Sequence, residues 1–471
     1  MLSNKGTKVL ECYKLMKPCS IKVLATLGPT SMKYEIISSM VEAGVAGFRI
    51  NMSHGSPSVW DEMLKLILDA EERLGLYPAI IFDLEGPRIR IAQSPATHVE
   101  PGQKIKICED EQDECLKLTH KGVINHLEPG DIILVDDGKT VLRIVEKRDE
   151  SVTALVVGGY SLEPGKGIAV RGKHIPLEPL TEKDLRCLDY LRGKPVSHIM
   201  LSYVADGDHV KLLRHELEKR GLGHVDIMAK IETPRGVQNI EEISKEADAI
   251  VIARGDLGMH YPLEEIPLVS SKIAEVAVKN YKPLIVATEI LTSMIERPIP
   301  TRAEIVDIYK AVELGADGLL LTGETAIGRF PVKAVEWALR VASLASSKVR
   351  SPRPEARGVA YRLALALVET AEDIDAPIIA YTMKGRLPKR IASFKPTIKV
   401  YAGTRDPLVY RKLMILRSIF PIHVEATDYQ EGLQKTSSIV LERLGSDSTF
   451  VEASWSRENR VFQIKVRNIH Y

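Results

Sequence analysis

Residues 226–258 read DIMAKIETPRGVQNIEEISKEADAIVIARGDLG, and this stretch decides the fold. Its two apolar runs, at 226–231 and 249–253, predict strands, and the segment between them predicts a helix. Strands that alternate with helices are typical of βαβ units in a parallel sheet. The stretch therefore predicts one repeat of a parallel α/β fold.

The same alternation continues on both sides of this repeat. Further strands are predicted at 21–26, 47–51, 78–83, 198–201, 284–287 and 318–321, and helices at 32–43, 56–74 and 331–344. Three of the eight predicted strands precede an interruption of the pattern and five follow it. Eight such units close into a (β/α)8 barrel, the TIM barrel, which is the predicted fold.

The interruption, at about residues 91–171, holds strand-like runs without an amphipathic helix between them. The runs lie at 104–108, 132–135, 141–145 and 153–157, and Pro-Gly or Asp-Gly turn signals separate them. We therefore predict a small β-barrel domain inserted into the TIM barrel.

A charged, proline-containing segment at 348–357 predicts a linker. Strand candidates at 377–381, 397–401 and 448–453 then predict a separate C-terminal α/β domain. The predicted division is 1–90 and 173–347 for the barrel, 91–172 for the insert and 348–471 for the C-terminal domain. A chain of 471 residues has room for two or three domains.

The composition argues against several classes of function. The formal charge is +1, so no overall field favours nucleic acid or a membrane surface. No stretch approaches the ~20 apolar residues of a membrane helix, and no secretory signal is seen. The cysteines are odd in number and lack CxxC spacing, which argues against a disulfide framework or a zinc site: Cys12, Cys19, Cys108, Cys115 and Cys187. We expect a cytoplasmic protein in a reducing compartment.

Polar side chains follow almost every predicted barrel strand. Active sites of such barrels lie at the C-terminal ends of the strands, so these groups converge if the barrel closes. They are Arg49, Asn51, Ser53, His54, Asp83, Ser202, Lys230, Glu232, Arg254, Asp256, Thr288, Thr322 and Glu324.

Lys230, Glu232 and Asp256 predict a site for a divalent cation. Lys230 and Glu232 are two residues apart and point the same way in an extended strand, while Asp256 follows the neighbouring strand. Two carboxylates suit Mg²⁺ or Mn²⁺, with waters and substrate oxygens completing the shell. Lys230 could then stabilise charge on a transferring phosphoryl group or an enolate. The alternative is a Lys230–Glu232 ion pair that only fills the barrel interior, although burying charges rarely adds stability.

Two glycines beside Asp256 and three basic side chains are further candidate partners for an anion. Gly255 and Gly258 flank Asp256, and glycine lets backbone N–H groups approach an anion closely. Arg49, Arg90 and Lys183 are candidate partners as well. Taken alone, each of these three residue types is more often a solvated surface charge.

Several strings, taken in order, resemble the pyruvate kinase family. They are ATLGPTS at 25–31, RINMSHG at 49–55, DLEGPRIR at 83–90, KIE at 230–232, ARGDLG at 253–258, PTRAE at 300–304 and LTGETAIG at 321–328. Departures include Thr322 where the family has Ser, Tyr203-Val204-Ala205 where it has Phe-Val-Arg, and Glu289-Ile290 where it has Gln-Met. None of these removes a proposed catalytic group.

The resemblance implies phosphoryl transfer from phosphoenolpyruvate to ADP, giving pyruvate and ATP in the last step of glycolysis. It implies that Lys230 stabilises the transition state and that Glu232 and Asp256 hold the divalent cation. The implied contacts of phosphoenolpyruvate are Arg49, Lys230, Gly255, Asp256 and Thr288, and the implied nucleotide contacts are Asn51, His54, Arg90 and Lys183. The inserted β domain would be a lid over the nucleotide, and a homotetramer is expected.

The resemblance also predicts independence of potassium. Family members that need K⁺ hold it with oxygens at positions matching Asn51, Ser53, Asp83 and the Leu84 carbonyl. Those members carry Lys at the position of Glu85 and Glu at that of Arg88, so the two charges are exchanged here. A fixed Arg88 guanidinium would replace the positive charge of the ion and repel it. The alternative is that Arg88 points to solvent and pairs with a surface carboxylate.

A phosphorylated effector is expected at Thr382, Lys384, Gly385 and Arg386. A hydroxyl, two cations and backbone N–H groups could hold a phosphate there, where the family binds sugar-phosphate effectors. Residues 455–460 lack the usual glycine-rich effector loop, so fructose 1,6-bisphosphate is not expected and a singly phosphorylated effector is favoured. The alternative is an ordinary strand–helix turn.

Two other functions are possible for such a chain. One is a Mg²⁺-dependent aldolase or lyase acting on a 2-oxo acid, in which KIET strings also occur, but those enzymes lack the two extra domains. The other is a metabolite sensor without catalysis, against which the intact Lys230, Glu232, Asp256 and Thr288 argue.

Overall fold

The computed structural model describes residues 20–92, 96–109, 115–445, 447–456 and 461–467. Its strands are β1 Lys22–Thr26, β2 Gly47–Asn51, β3 Ala79–Asp83, β4 Thr97–His98, β5 Lys104–Cys108, β6 Leu116–Lys117, β7 Ile132–Val135, β8 Thr140–Arg148, β9 Ser151–Gly158, β10 Ser161–Leu162, β11 Ile168–Val170, β12 His198–Leu201, β13 Asp226–Ile231, β14 Ala249–Ala253, β15 Leu284–Ala287, β16 Gly318–Leu321, β17 Ile378–Tyr381, β18 Val400–Thr404, β19 Ile419–His423, β20 Phe450–Ser456 and β21 Val461–Arg467.

The α-helices alternate with the strands of the barrel and of the C-terminal part. They are α1 Tyr34–Ala43, α2 Pro57–Leu74, α3 Glu182–Tyr190, α4 Gly207–Lys219, α5 Pro234–Gln238, α6 Ile240–Glu246, α7 Arg254–His260, α8 Ile266–Lys279, α9 Arg302–Glu313, α10 Gly323–Ala326, α11 Pro331–Lys348, α12 Val359–Asp373, α13 Arg386–Ser393, α14 Pro407–Leu413 and α15 Tyr429–Leu444. Short 3₁₀ turns lie at Ile124–His126, Leu263–Glu265 and Thr292–Ile295.

The predicted TIM barrel is confirmed. Eight parallel strands close in the order β1, β16, β15, β14, β13, β12, β3, β2. Six of these strands are buried along their whole length, as expected for a parallel sheet that is covered on both faces. The partly exposed positions are Arg49 and Asn51 in β2, and Asp226 and Lys230 in β13.

The insert between β3 and α3 is an all-β unit, as predicted. Six strands pair in the order β11, β7, β8, β9, β5, β6, and β10 pairs with β4. The alternating burial of β8 and β9 gives this curled sheet a core of its own, which includes Leu142, Ile144, Val152, Ala154 and Val156.

One disulfide corrects the expectation of free thiols. Cys108, at the end of β5, is bonded to Cys115, just before β6, where no bond was predicted. β5 and β6 pair in parallel, with Cys108 opposite Lys117, so the pairing of the strands brings the sulfurs together without CxxC spacing. Cys187 is a buried free cysteine, and Cys12 and Cys19 lie outside the described residues.

The C-terminal part is the predicted α/β unit, with two strands that the sequence analysis missed. Its sheet has the order β19, β18, β17, β20, β21, and only β21 is antiparallel to its neighbour. β19 contains Pro421, which obscures a strand in the sequence but is tolerated at the edge of a sheet. The strand predicted at 397–401 lies instead at Val400–Thr404.

The C-terminal sheet unit packs against the floor of the barrel, at the N-terminal ends of the strands. Apolar side chains inside the barrel, such as Met200 and Val251, belong to one core cluster with Phe394 and Leu413 of the C-terminal part. Lys395 forms a fully buried ion pair with Asp317, which precedes β16. The opposite rim of the barrel is thereby left for the predicted site.

Candidate active site

The C-terminal ends of β2, β3 and β13 bring Arg49, Asp83, Lys230 and Glu232 together. Arg49 Nε donates to Asp83 Oδ2 over 2.7 Å. Lys230 Nζ lies 3.1 Å from Asp83 Oδ1 and 3.3 Å from Glu232 Oε1. Asp83 is 1% exposed and Glu232 is 2% exposed. Two cations and two carboxylates therefore share a small volume from which water is largely excluded.

The carboxylates in this cluster differ in proton affinity. Burial would raise the pKa of Asp83, but Lys230 and Arg49 together hold that pKa below its ordinary value. Burial raises the pKa of Glu232 to about 7, because Lys230 only partly offsets burial and Asp256 adds a second negative charge. Burial would lower the pKa of Lys230, but Asp83 and Glu232 raise it above its ordinary value. Lys230 therefore stays charged, while burial makes Glu232 hold a proton more tightly than an ordinary glutamate does.

Asp256 completes a pair of carboxylates with Glu232. Helix α7 begins directly after β14 and places Asp256 in its first turn, close enough to affect the titration of Glu232. Glu232 Oε2 accepts the Tyr203 N–H over 2.7 Å, which fixes the orientation of its carboxylate. Within the described ranges, no group of three or more His, Cys, Asp or Glu side chains could hold a metal. Two carboxylates fit Mg²⁺ or Mn²⁺ that draws its other ligands from water and substrate oxygens.

Thr288 lies beside the loop that carries Asp256. The Gly255 N–H donates to Thr288 Oγ1 over 2.8 Å, and Arg254 Nη2 donates to the Thr288 carbonyl over 3.0 Å. Thr288 has a φ of +66° and Glu289 has a φ of +55°. Such left-handed conformations are uncommon for residues other than glycine and cluster at functional sites. The structure thus places Gly255 and Thr288 in direct contact, as two residues of one substrate site would be.

Glu85, which was not proposed as a site residue, organises the expected nucleotide contacts. Its Oε1 accepts from Arg90 Nη2 over 2.7 Å, and its Oε2 accepts from Lys183 Nζ over 2.7 Å. Lys183 Nζ also donates to the Ser53 carbonyl, so the loop after β2 contacts the same cluster of charges. The pKa of His54 lies below its ordinary value, chiefly because the ring is partly buried and also because Arg90 is positively charged. In the sequence, Glu85 is marked only by its charge, which is opposite to that of the Lys that potassium-dependent family members carry at this position.

The four positions expected around a monovalent ion are partly engaged by protein groups. Asn51 Oδ1 accepts the Ser53 N–H over 3.1 Å, and the Leu84 carbonyl accepts from Ser202 Oγ over 2.6 Å. Asp83 is shared by the two cations of the buried cluster.

Arg88 lies between the lid and the pair of carboxylates. Its Nη2 is 3.3 Å from Asp137 Oδ1 and 3.8 Å from Asp256 Oδ1. A Cβ at Gly167 would lie 2.5 Å from Arg88 Nε, so the guanidinium lies directly against the backbone of the inserted unit. Burial would lower the pKa of Arg88, but Tyr203, Asp256 and Asp137 more than offset it. Arg88 therefore pairs with the exposed Asp137 and also lies beside Asp256, and the replacement of a potassium ion by its charge stays a prediction.

Several other predicted strand-end residues support the rim instead of lining the site. Glu324 is 1% exposed, and its carboxylate accepts the Leu291 N–H over 2.9 Å and the Thr322 N–H over 2.7 Å. Arg254 Nη1 donates a hydrogen bond to Asp307 Oδ1 over 2.6 Å. These groups fix the loops after β14, β15 and β16 relative to one another.

The proposed effector residues lie far from the rim, at the carboxyl end of β17. Gly385 has a φ of +72° and precedes α13, and its N–H donates to Thr382 Oγ1 over 2.9 Å. Lys384 and Arg386 are exposed. Residues 457–460 of the altered effector loop lie outside the described residues.

The closed barrel, its inserted β unit and its cluster of cations and carboxylates define a barrel enzyme suited to anionic, phosphorylated substrates. The protein-family model of the pyruvate kinase barrel domain matches residues 19–335. The family model of the pyruvate kinase alpha/beta domain matches residues 362–453. The chain belongs to the pyruvate kinase family.

Relatives from several organisms share this architecture. The pyruvate kinase of Aeropyrum pernix is 42% identical over 456 residues, which is 96% of this chain and 99% of that protein. The crystal structure of pyruvate kinase from Pyrobaculum aerophilum superimposes with a TM-score of 0.88 at 31% identity, covering 96% of this chain and 100% of that one. A pyruvate kinase structure from Cryptosporidium parvum gives a TM-score of 0.89 at 26% identity, covering 99% and 97%. Among the described residues, no helix is long and apolar enough to cross a membrane.

Proposed function

We propose that this chain transfers the phosphoryl group of phosphoenolpyruvate to ADP, forming pyruvate and ATP in the last step of glycolysis. The observation that carries the proposal is the charged Lys230, which Asp83 and Glu232 hold at the barrel rim. Phosphoryl transfer is catalysed mainly by positioning and by fixed positive charge in a site without bulk water. Membership of the pyruvate kinase family supports the assignment.

The proposed substrate contacts divide the chemical work. Arg49 and Lys230 would bind the phosphoryl group, with the N-terminal turn of α7 around Gly255 contributing its backbone. As the bond from phosphorus to the enol oxygen breaks and the bond to ADP forms, Lys230 would stabilise the charge on both sides. Thr288 would lie near the face on which the enolate carbon takes up a proton, directly or through water.

Glu232 and Asp256 would hold Mg²⁺ or Mn²⁺ beside this cluster. When bound, the cation neutralises charge on phosphoryl oxygens and orients them. Asn51, His54, Arg90 and Lys183 would bind the nucleotide. The β lid would close over the nucleotide and exclude water.

A coupled assay of pyruvate release tests this function. With phosphoenolpyruvate, Mg²⁺ and ADP we expect steady release of pyruvate, and without ADP we expect almost none. Release without ADP would indicate hydrolytic or lyase chemistry. No release under either condition would indicate a sensor without catalysis.

Replacing Lys183 with methionine should raise the KM for ADP about tenfold and leave the KM for phosphoenolpyruvate nearly unchanged. Losing a charge-assisted hydrogen bond to a phosphate removes about 1.5–3 kcal/mol of binding free energy. The measurement is initial rate against each substrate in turn. Lys211→Met is the matched control, because Lys211 forms only an exposed pair with Asp208. Equal changes in both KM values would contradict a role on the nucleotide side.

The enzyme should work without potassium. The Arg88 guanidinium already supplies a fixed positive charge beside Asp256, and it would repel a monovalent cation at this rim. The initial rate in tetramethylammonium buffer should rise by less than about fivefold when K⁺ is added. Activation beyond that would show the interpretation of Arg88 to be wrong.

Arg88→Glu combined with Glu85→Lys should then create a potassium requirement, because the two changes restore the charges that potassium-dependent members carry at these positions. Glu85 is paired with Arg90 and Lys183 in this chain, so the double variant also tests whether the nucleotide side tolerates the exchange. Asp137→Asn is the matched control, since it removes the exposed partner of Arg88 and leaves the guanidinium in place.

The remaining expectations stay proposals. We expect a cytoplasmic homotetramer, with the domain division at residues 90/91, 172/173 and 347/348. Thr382, Lys384, Gly385 and Arg386 are proposed to take part in binding a phosphorylated effector. If phosphorylated metabolites leave the saturation curve for phosphoenolpyruvate unmoved, those residues form an ordinary turn.

A further inference from the structure

The carboxylate of Glu85 holds two of the proposed nucleotide contacts at once. Its Oε1 accepts from Arg90 Nε over 3.0 Å and from Arg90 Nη2 over 2.7 Å, and its Oε2 accepts from Lys183 Nζ over 2.7 Å. Over the described ranges, no other carboxylate lies within salt-bridge distance of either cation. Arg90 and Lys183 therefore meet on this carboxylate in the way that two cations would meet on a phosphate.

The backbone on both sides of Glu85 is fixed to the barrel. The Leu84 carbonyl accepts from Ser202 Oγ over 2.6 Å, and the Gly86 N–H donates to Asp184 Oδ1 over 3.3 Å. Gly86 has a φ of +68°, and a Cβ there would lie 2.9 Å from Ser202 Cβ. The barrel itself therefore holds the carboxylate of Glu85 between the two cations.

Glu85 is a charged carboxylate at neutral pH. Burial would raise the pKa of this carboxyl, but hydrogen bonds from Lys183 and Arg90 hold that pKa below its ordinary value. The Glu85 side chain is 17% exposed, so solvent screens the three charges only in part. A phosphate that approaches Arg90 and Lys183 would find one of the two positive charges already neutralised, and the carboxylate between them would repel it.

We propose that Glu85 competes with the phosphates of a nucleoside diphosphate for Arg90 and Lys183, and thereby lowers the affinity of the nucleotide side. The inference rests on the proposed function, which puts the nucleotide at these cations. Phosphate oxygens reach Arg90 and Lys183 only by sharing them with Glu85 or by displacing it. Because ATP would use the same cations, the competition also favours the release of that product.

Isothermal titration of the full-length protein with ADP, in the presence of Mg²⁺ and without phosphoenolpyruvate, tests the proposal. Glu85→Gln keeps the size of the side chain and one acceptor oxygen, but it removes the charge. We expect this variant to bind ADP at least about fivefold more tightly than the wild type, because a like charge beside the phosphates is gone. The KM for ADP should fall as well, while the KM for phosphoenolpyruvate stays nearly unchanged.

Glu182→Gln is the matched control for this titration. Glu182 precedes Lys183 in the chain, but its exposed carboxylate pairs with Arg186 over 3.6 Å. Removing this charge should change the affinity for ADP by less than about twofold. An equal gain in affinity in Glu182→Gln and Glu85→Gln would overturn the proposal, because the effect would then come from net charge and not from competition for the two cations.

A double-mutant cycle with Lys183 tests whether Glu85 acts through the cations. In the Lys183→Met background, Glu85→Gln should tighten ADP binding by less than about twofold, because one of the two contested cations is absent. The same gain in both backgrounds would overturn the proposal. Unchanged or weaker ADP binding in the single variant Glu85→Gln would overturn it as well, since a carboxylate that only supports its cations would give that result.

Pyruvate release by the wild-type protein tests the proposed function separately. If the wild type releases pyruvate when ADP is present but Glu85→Gln does not tighten ADP binding, the proposed function stands and the competition is wrong. If the wild type neither binds ADP nor releases pyruvate, the proposed function is wrong as well.

Discussion

Lys230→Met should lower kcat by at least 10²–10³-fold, which is the usual cost of losing one fixed group that stabilises transition-state charge. Lys230 is the cation that Asp83 and Glu232 hold at the centre of the buried cluster. Arg49 remains beside Asp83 in the variant and still attracts the substrate phosphate. The KM for phosphoenolpyruvate should therefore change much less than kcat.

The fold of the Lys230→Met variant should survive. Removing one partner of a buried ion pair usually destabilises a protein strongly, because a charge is left unpaired. Here Asp83 keeps its ion pair with Arg49. Glu232 can take up a proton, because its pKa is already about 7. Circular dichroism should show an intact fold, and Lys211→Met should show normal kcat. A variant that kept a tenth of wild-type turnover would contradict the role of Lys230.

Glu232→Gln and Asp256→Asn should each raise the Mg²⁺ concentration for half-maximal rate by more than about tenfold. Glu232 and Asp256 are the two carboxylates proposed to hold the cation, so each change would remove a large share of the anionic ligands of a hard cation. Glutamine keeps the size of the side chain and can still accept the Tyr203 N–H, so the loop after β12 should stay in place.

A Mg²⁺ titration of initial rate at saturating substrates measures this effect. Glu264→Gln is the matched control, since Glu264 is an exposed carboxylate shortly after α7. Half-maximal Mg²⁺ concentrations that match the wild type in both variants would mean that the divalent cation is held elsewhere.

The barrel could be predicted from sequence because its strands carry a strong local signal. Runs such as Ala249–Ala253 are apolar throughout, and turns or helices bound them on both sides. β19 was missed because Pro421 removes a backbone donor, which only an edge position tolerates. The disulfide of Cys108 and Cys115 depends on the pairing of β5 with β6, and cysteine spacing does not reveal strand pairing.

The candidate site was predictable where its residues share a strand or end neighbouring strands. Lys230 and Glu232 are such a pair, and their spacing alone places them on one side. Contacts between the lid and the barrel were not predictable, because they depend on how two units pack. The position of Arg88 against Gly167 belongs to this second kind. The bridge from Glu85 to Lys183 was not predictable either, because it joins two parts of the barrel that the insert separates in sequence.

The most direct test of the central claim is phosphorus NMR of the enzyme with Mg²⁺, ADP and phosphoenolpyruvate. We expect the phosphoenolpyruvate signal to decay while the γ-phosphate signal of ATP grows in equal amount, with pyruvate formed one for one. Lys230→Met under the same conditions should show neither change on that timescale. Growth of inorganic phosphate in place of ATP, or consumption of phosphoenolpyruvate that does not depend on Lys230, would contradict the account.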